Sequence, residues 1–159
     1  MKLAFYIYNG EVLDKAIKLW TATWKERFNK EWKNIPSHVE FIFSNGVWFS
    51  SSPRDKGTRF KYIDAKQGRW VYFDIATTKE EEQIIYNWCD SIKDRDYDWP
   101  GILSFIIPFI KDDKDKWFCS ECMIDGANLI NKLKDFIPRK TTPRDIMDYL
   151  YEQGYESYM

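Results

Sequence analysis

Apart from one helical stretch at Val12–Trp20, the apolar pattern of this chain turns from strand-like to helical at Thr78. Up to Ile75 most hydrophobic residues alternate with polar ones or form short unbroken runs, and from Thr78 onward they recur at helical spacing. Strand-like segments therefore gather in the first half and helical ones in the second, which selects an α+β fold, an antiparallel sheet packed against helices. The 159 residues suit one domain spanning 1–159, long enough to bury a sizeable core without staples. Hydrophobic residues make up 44% and aromatic residues 18% of the chain, so burial offsets chain entropy and wholesale disorder is excluded.

Lys2–Tyr8 reads as a first strand stopped by Asn9-Gly10. Val12, Leu13, Ala16, Ile17, Leu19 and Trp20 fall at helical spacing and predict a helix over Val12–Trp20, which Thr21 and Thr23 weaken towards Phe28. Ser37–Phe43 and Val47–Ser50, joined across Ser44-Asn45-Gly46, predict a hairpin. Phe60–Ile63 and Arg69–Ile75 predict two more strands about a Gln67-Gly68 turn. Thr78 and Glu81 have the spacing of a capping box ahead of a helix over Lys79–Ile92. Another helix is expected over Trp117–Leu133, and Thr142-Pro143 is an N-cap and first-turn pair for a last one through Tyr151. Lys111–Lys116, with mixed charges, reads as a solvated loop.

A net charge of −1 supplies no global attraction to nucleic acid or anionic lipid. Met1–Tyr8 lacks the apolar core and cleavage site of a secretory signal, which points to the cytoplasm. The apolar stretch Trp99–Ile110, interrupted by Pro100 and Pro108, is far short of the roughly 20 residues that span a bilayer, so no stable membrane insertion is expected. Three cysteines, Cys89, Cys119 and Cys122, are too few and too odd in number for a disulfide framework.

The chain has one histidine, His38, at the start of a predicted strand. It is either an ordinary half-buried polar residue or the only imidazole base on offer. Cys119 stands at the first turn of a predicted helix, where unpaired N–H groups and the helix dipole favour a thiolate and can face an oxyanion. Cys122, one turn deeper, and Cys89 read as packing residues. Cys119-Ser-Glu-Cys122 also has the spacing of a redox pair, although a charged loop rather than an apolar strand precedes it. A zinc site would need Cys89 and His38 to join from distant segments, without the usual second ligand pair.

Ser37–Gly46, Tyr97–Leu103 and Phe118–Glu121, in this order, resemble the His strand, the Tyr segment and the nucleophile motif of the circularly permuted, YiiX-like branch of the NlpC-type papain-like cysteine hydrolases. In that branch the His strand precedes the Cys helix, as His38 precedes Cys119 here. The resemblance implies a permuted papain-like fold and a thiol hydrolase that cuts a peptide, amide or acyl substrate with no metal or cofactor. Cys119 would be the nucleophile and His38 the base. Counted along the hairpin, the third polar position falls on Ser50, whose hydroxyl holds a tautomer but stabilises imidazolium less than a carboxylate does. Glu40 shares His38's strand face and is the alternative partner, at an awkward same-strand separation of about 7 Å. Tyr97 is the matched hydroxyl near oxyanion or substrate, or else a buried aromatic.

Ser51–Lys61 carries Arg54, Lys56, Arg59 and Lys61 near the expected site. Arg54 in particular suits a substrate carboxylate or phosphate, and the same stretch also reads as a solvated turn balanced by Asp55. Trp99–Ile110 would be a buried helix or an apolar wall for acyl or peptide side chains. A binding or inhibitory module on the same fold, and a Cys119/Cys122 thiol–disulfide protein, are the rival readings.

Overall fold

A computed structural model describes residues 1–8, 12–23, 26, 29, 34–99 and 116–159, with the backbone alone at Leu13 and Trp20. In chain order the elements are β1 (Lys2–Tyr6), α1 (Val12–Thr21), β2 (His38–Ile42), β3 (Trp48–Ser52), a 3-10 turn (Pro53–Asp55), β4 (Gly57–Lys61) and β5 (Trp70–Asp74). After these come α2 (Lys79–Ser91), α3 (Cys119–Asn128), a second 3-10 turn (Pro138–Lys140), α4 (Pro143–Glu152) and β6 (Ser157–Tyr158). The described residues thus form an α+β arrangement of four helices and one six-stranded antiparallel sheet in the order β4-β3-β2-β1-β5-β6.

β1 lies at the centre and pairs on both sides, Phe5 with Val39 of β2 and with Val71 of β5. Alternation divides the sheet into two faces. Leu3, Phe5, Val39, Phe41, Phe49 and Phe73 line one face and are buried in the main core with residues of α2, α3 and α4. Each such phenylalanine stabilises the fold by roughly 1.5–3 kcal/mol through burial. The opposite face carries Ala4, Tyr6, Trp48 and Trp70, the last two in edge contact with centroids 4.9 Å apart.

The helices begin where local chemistry allows. Thr78 and Glu81 close a reciprocal capping box at α2, and Thr142 and Asp145 do the same at α4 with Pro143 in the first turn. α3 contributes Cys122, Met123, Ile124 and Ala127 to the core. Its Gly126 lets the sheet come close, since a Cβ there would stand 2.9 Å from a ring carbon of Phe41.

Three expectations shift. The strand predicted over Phe60–Ile63 is β4, Gly57–Lys61, because Thr58 also pairs across its outer side: its N–H donates to Arg95 O at 2.9 Å and its C=O accepts from Asp94 N at 3.0 Å. The helix predicted over Trp117–Leu133 is confined to Cys119–Asn128. Trp117 is held in a bridge with Tyr97, and the left-handed φ of Asn131 (61°) and Leu133 (56°) ends any helical path beyond. β6, unanticipated, is held by Tyr158 stacked on Tyr72 at 5.5 Å. The readings of Asn9-Gly10, of a helix continuing to Phe28, of Trp99–Ile110 past Trp99, and of the Lys111–Lys116 loop before Lys116 fall outside the described residues. Among the described residues no helix is long and apolar enough to cross a membrane.

Candidate active site

His38 is the first residue of β2, and Glu40 follows two places on, with its side chain on the same face. His38 Nε2 and Glu40 Oε1 are 3.0 Å apart, both side chains buried. Backbone spacing along one strand does not prevent this contact, because two long side chains leaning towards each other close the gap. Glu40 is in turn held by Arg59, whose Nη1 and Nη2 donate to Oε2 and Oε1 at 2.9 and 2.8 Å. Arg59 Nε donates to Asp55 Oδ2 at 2.7 Å, and Lys61 Nζ to Asp55 Oδ1 at 2.9 Å. Burial acts on Glu40 to raise its proton affinity, but His38 and Arg59 together outweigh it and hold the carboxyl below its ordinary range.

Glu40 is therefore an acceptor, so Nε2 of His38 carries a proton and donates it. That leaves Nδ1 for Cys119, a neighbour that acts on the imidazole. Burial pushes the imidazole down, yet the influence of Cys119, then that of Glu40, more than reverses this and holds His38 at about 9 against an ordinary 6.5. α3 packs on β2 and β3, which brings its first residue to the end of the sheet where His38 sits. The residue before it, Phe118, offers no side-chain acceptor to the first helical turn, so the N–H groups there are not tied up by a cap. Burial drives the thiols of Cys89 and Cys122 well up, which leaves Cys119 as the sulfur facing an ionisable partner.

A small cleft of about 20 Å³, room for about one water, reaches His38 and is lined also by Asp14, Ser37, Ser52, Arg54 and Tyr97. Tyr97 is buried, and its phenol is driven well above the usual range by burial, then by the neighbouring Cys119, Cys122 and Asp98 charges, so it stays a donor. Arg54 Nη2 donates to Asp14 Oδ2 at 2.8 Å, while Ser37 Oγ donates to Asp14 Oδ1 at 3.0 Å. The Arg54 side chain remains 41% exposed beside the cleft.

Of the residues singled out from sequence, Cys119, His38, Glu40, Tyr97 and Arg54 come together. Ser50 does not serve the imidazole. The register Phe41↔Phe49 and Ile42↔Trp48, continued, sets Ser50 beside Glu40 rather than His38, and its hydroxyl donates to Val39 O at 2.7 Å. Sequence reasoning missed the engagement of Arg59, because Ser51–Lys61 read as a loop. Its alternating Arg59-Phe60-Lys61 was the available signal of a strand with one polar face. Arg59 and Lys61 both donate to Asp55, and Arg59 also to Glu40. Among the described residues no group of three or more His, Cys, Asp or Glu is placed to hold a metal ion. A larger hollow of about 380 Å³, among Leu3, Phe41, Leu133, Tyr149, Leu150 and Tyr155, lies towards the far end of α3 and away from these groups. Comparison with family models, with curated proteins and with solved structures finds no match to this chain.

Proposed function

We propose that the protein is a cysteine hydrolase of the permuted papain-like kind, which cleaves an amide, peptide or ester bond through a thioester on Cys119. The observation that supports the reading is the chain's only imidazole, hydrogen-bonded to a buried carboxylate and raised by the neighbouring Cys119. The Cys119 proton passes to His38 Nδ1, and the thiolate attacks the substrate carbonyl carbon. The resulting oxyanion is met by first-turn N–H groups of α3 and by the Tyr97 hydroxyl. The carbon–nitrogen or carbon–oxygen bond then breaks as His38 gives its proton to the leaving group. A water, losing its proton to His38, splits the thioester to the carboxylic acid and returns the thiol. Glu40 fixes the imidazole tautomer and stabilises the imidazolium. Arg54 beside the cleft suits a carboxylate or phosphate on the substrate.

Iodoacetamide labelling of the intact protein, with the modified cysteine mapped by mass spectrometry, tests this. Cys119 is expected to take the label first, and His38→Ala to slow it by about tenfold or more at neutral pH. Labelling that settles on Cys89 or Cys122, or that proceeds equally fast without His38, refutes the reading. The narrow cleft favours a second reading, a binding module on the same scaffold, which predicts full biological effect in Cys119→Ser.

A further inference from the structure

We propose that Arg59 is a positioning residue of this site: its guanidinium fork holds Glu40 as an anion in one rotamer against His38, and so sets the lower pH bound of Cys119 reactivity. This rests on the hydrolase reading above and adds to it a residue that touches neither the thiol nor the imidazole.

The geometry is specific. Arg59 stands on β4, two strands from Glu40 on β2, a separation of about 9–10 Å at ordinary strand spacing. Between them, opposite Arg59, lies Ser50. Ser50 is fully buried, small, and turns its hydroxyl onto Val39 O, so it leaves the path open for the guanidinium to cross β3. Arg59 then meets both carboxylate oxygens of Glu40 at 2.9 and 2.8 Å while its Nε is anchored on Asp55 at 2.7 Å. The two-point contact fixes the carboxylate plane as a single cation cannot. Signs alternate outward from the imidazole: His38, Glu40, Arg59, Asp55, Lys61. Among the described residues the charged groups facing Glu40 are His38 and Arg59, with Cys119 behind the first and Asp55 and Lys61 behind the second.

Take Arg59 away and the buried carboxylate faces His38 alone. Burial, already the largest influence on Glu40, then draws a proton onto it at a higher pH. A protonated Glu40 no longer stabilises the imidazolium. Since an adjacent Arg lowers a carboxyl by about 1–3 pH units, the acid limb of Cys119 reactivity should rise by a comparable amount in Arg59→Met. Arg59→Lys, which keeps the charge and loses the fork, should rise less in the same direction.

The test is the rate of Cys119 alkylation by iodoacetamide between about pH 4 and 10 in the wild type, R59K, R59M, E40Q and E40Q/R59M, with folding checked by circular dichroism. The proposal expects the acid limb to move up in R59M and partly in R59K. It also expects E40Q and E40Q/R59M to share one limb, because the amide that replaces the Glu40 carboxylate has no proton to gain. Slowing that is uniform across pH, or a shift that persists in the E40Q background, overturns the proposal and leaves Arg59 a purely structural residue. If R59M fails to fold, R59K decides alone, and an unmoved limb there is equally fatal. A wild type whose Cys119 is not labelled first, or is indifferent to His38, fails at the hydrolase reading instead.

Discussion

Because His38 is the only histidine in 159 residues, its ring can be titrated without overlap by NMR of histidine-labelled protein. The structure holds it at about 9 where an ordinary histidine sits at 6.5. Burial works against that rise, so the pull of Cys119 and Glu40 must exceed it, and the Cys119 charge is the larger of the two. The net gap between 6.5 and about 9 is worth roughly 3 kcal/mol at about 1.4 kcal/mol per tenfold change in proton affinity. The folded protein binds this proton more tightly than the unfolded chain. Its contribution is therefore complete below pH 6.5 and is lost as pH rises through about 9.

Glu40→Gln keeps a hydrogen-bond acceptor at Nε2 and deletes one of the two charges, so the midpoint should fall by about one unit or more. Cys119→Ser deletes the other charge and should lower it further. In the double variant burial acts unopposed, and the midpoint should drop below the 6.5 of a free imidazole. Urea unfolding should follow: wild-type stability should decline by up to about 3 kcal/mol from neutral to alkaline pH, and the double variant should lose this decline. A wild-type midpoint near 6.5, or one that neither substitution moves, would refute at its root the reading that Cys119 and Glu40 raise the imidazole.

Two further perturbations test the scaffold. At Gly57 an added Cβ would lie 1.9 Å from Arg95 O, a backbone atom that cannot turn aside, and φ there is 153°. Gly57→Ala should cost about 3 kcal/mol or more in urea unfolding, and should weaken Cys119 labelling because β4 carries Arg59. Glu121 is buried with Oε2 lacking a hydrogen-bond partner, and burial, aided by Asp125 and Asp98, raises it to about 8 in spite of Arg139. Its Arg139 partner is 34% exposed, so water screens that pair and burial prevails. As pH climbs from 4.5 through about 8 the unfolded chain releases this proton first and the fold loses stability. Glu121→Gln should therefore narrow the stability difference between mildly acidic and alkaline buffers, and a difference as wide as wild type's would contradict the assignment.

The parts of this fold that were legible in sequence are those decided locally. Thr78 and Glu81 are three residues apart, and their reciprocal hydrogen bonds needed nothing distant to form. The hairpin over β2 and β3 was placed by its turn, but its register was not, and the error moved the third polar position onto Ser50. Glu40 stands only as the alternative partner when same-strand spacing is weighed by backbone distance, whereas contact is made by side-chain tips. β4 starts earlier than its apolar pattern suggests because Thr58 is recruited by Arg95 and Asp94, almost forty residues away. No window along the chain contains that pairing. The shortening of α3 has the same origin, in the bridge that Trp117 makes with Tyr97.

That dependence on distant pairing extends to the chemistry. The line from His38 to Arg59 runs across the strands, so its lengths are set by register rather than by any one segment. On the opposite face Phe49 packs against Phe60 with centroids 4.8 Å apart, and Phe60 against Tyr86 of α2 at the same distance. A slip of β4 by one residue would turn Arg59 towards the helices and present Phe60 to Glu40. It would cost the apolar contacts and the polar line together. The aromatic pairs that bury the core therefore also hold Arg59 opposite Ser50 and within reach of Glu40, so that at these positions the packing of the sheet and the orientation of the imidazole depend on one register.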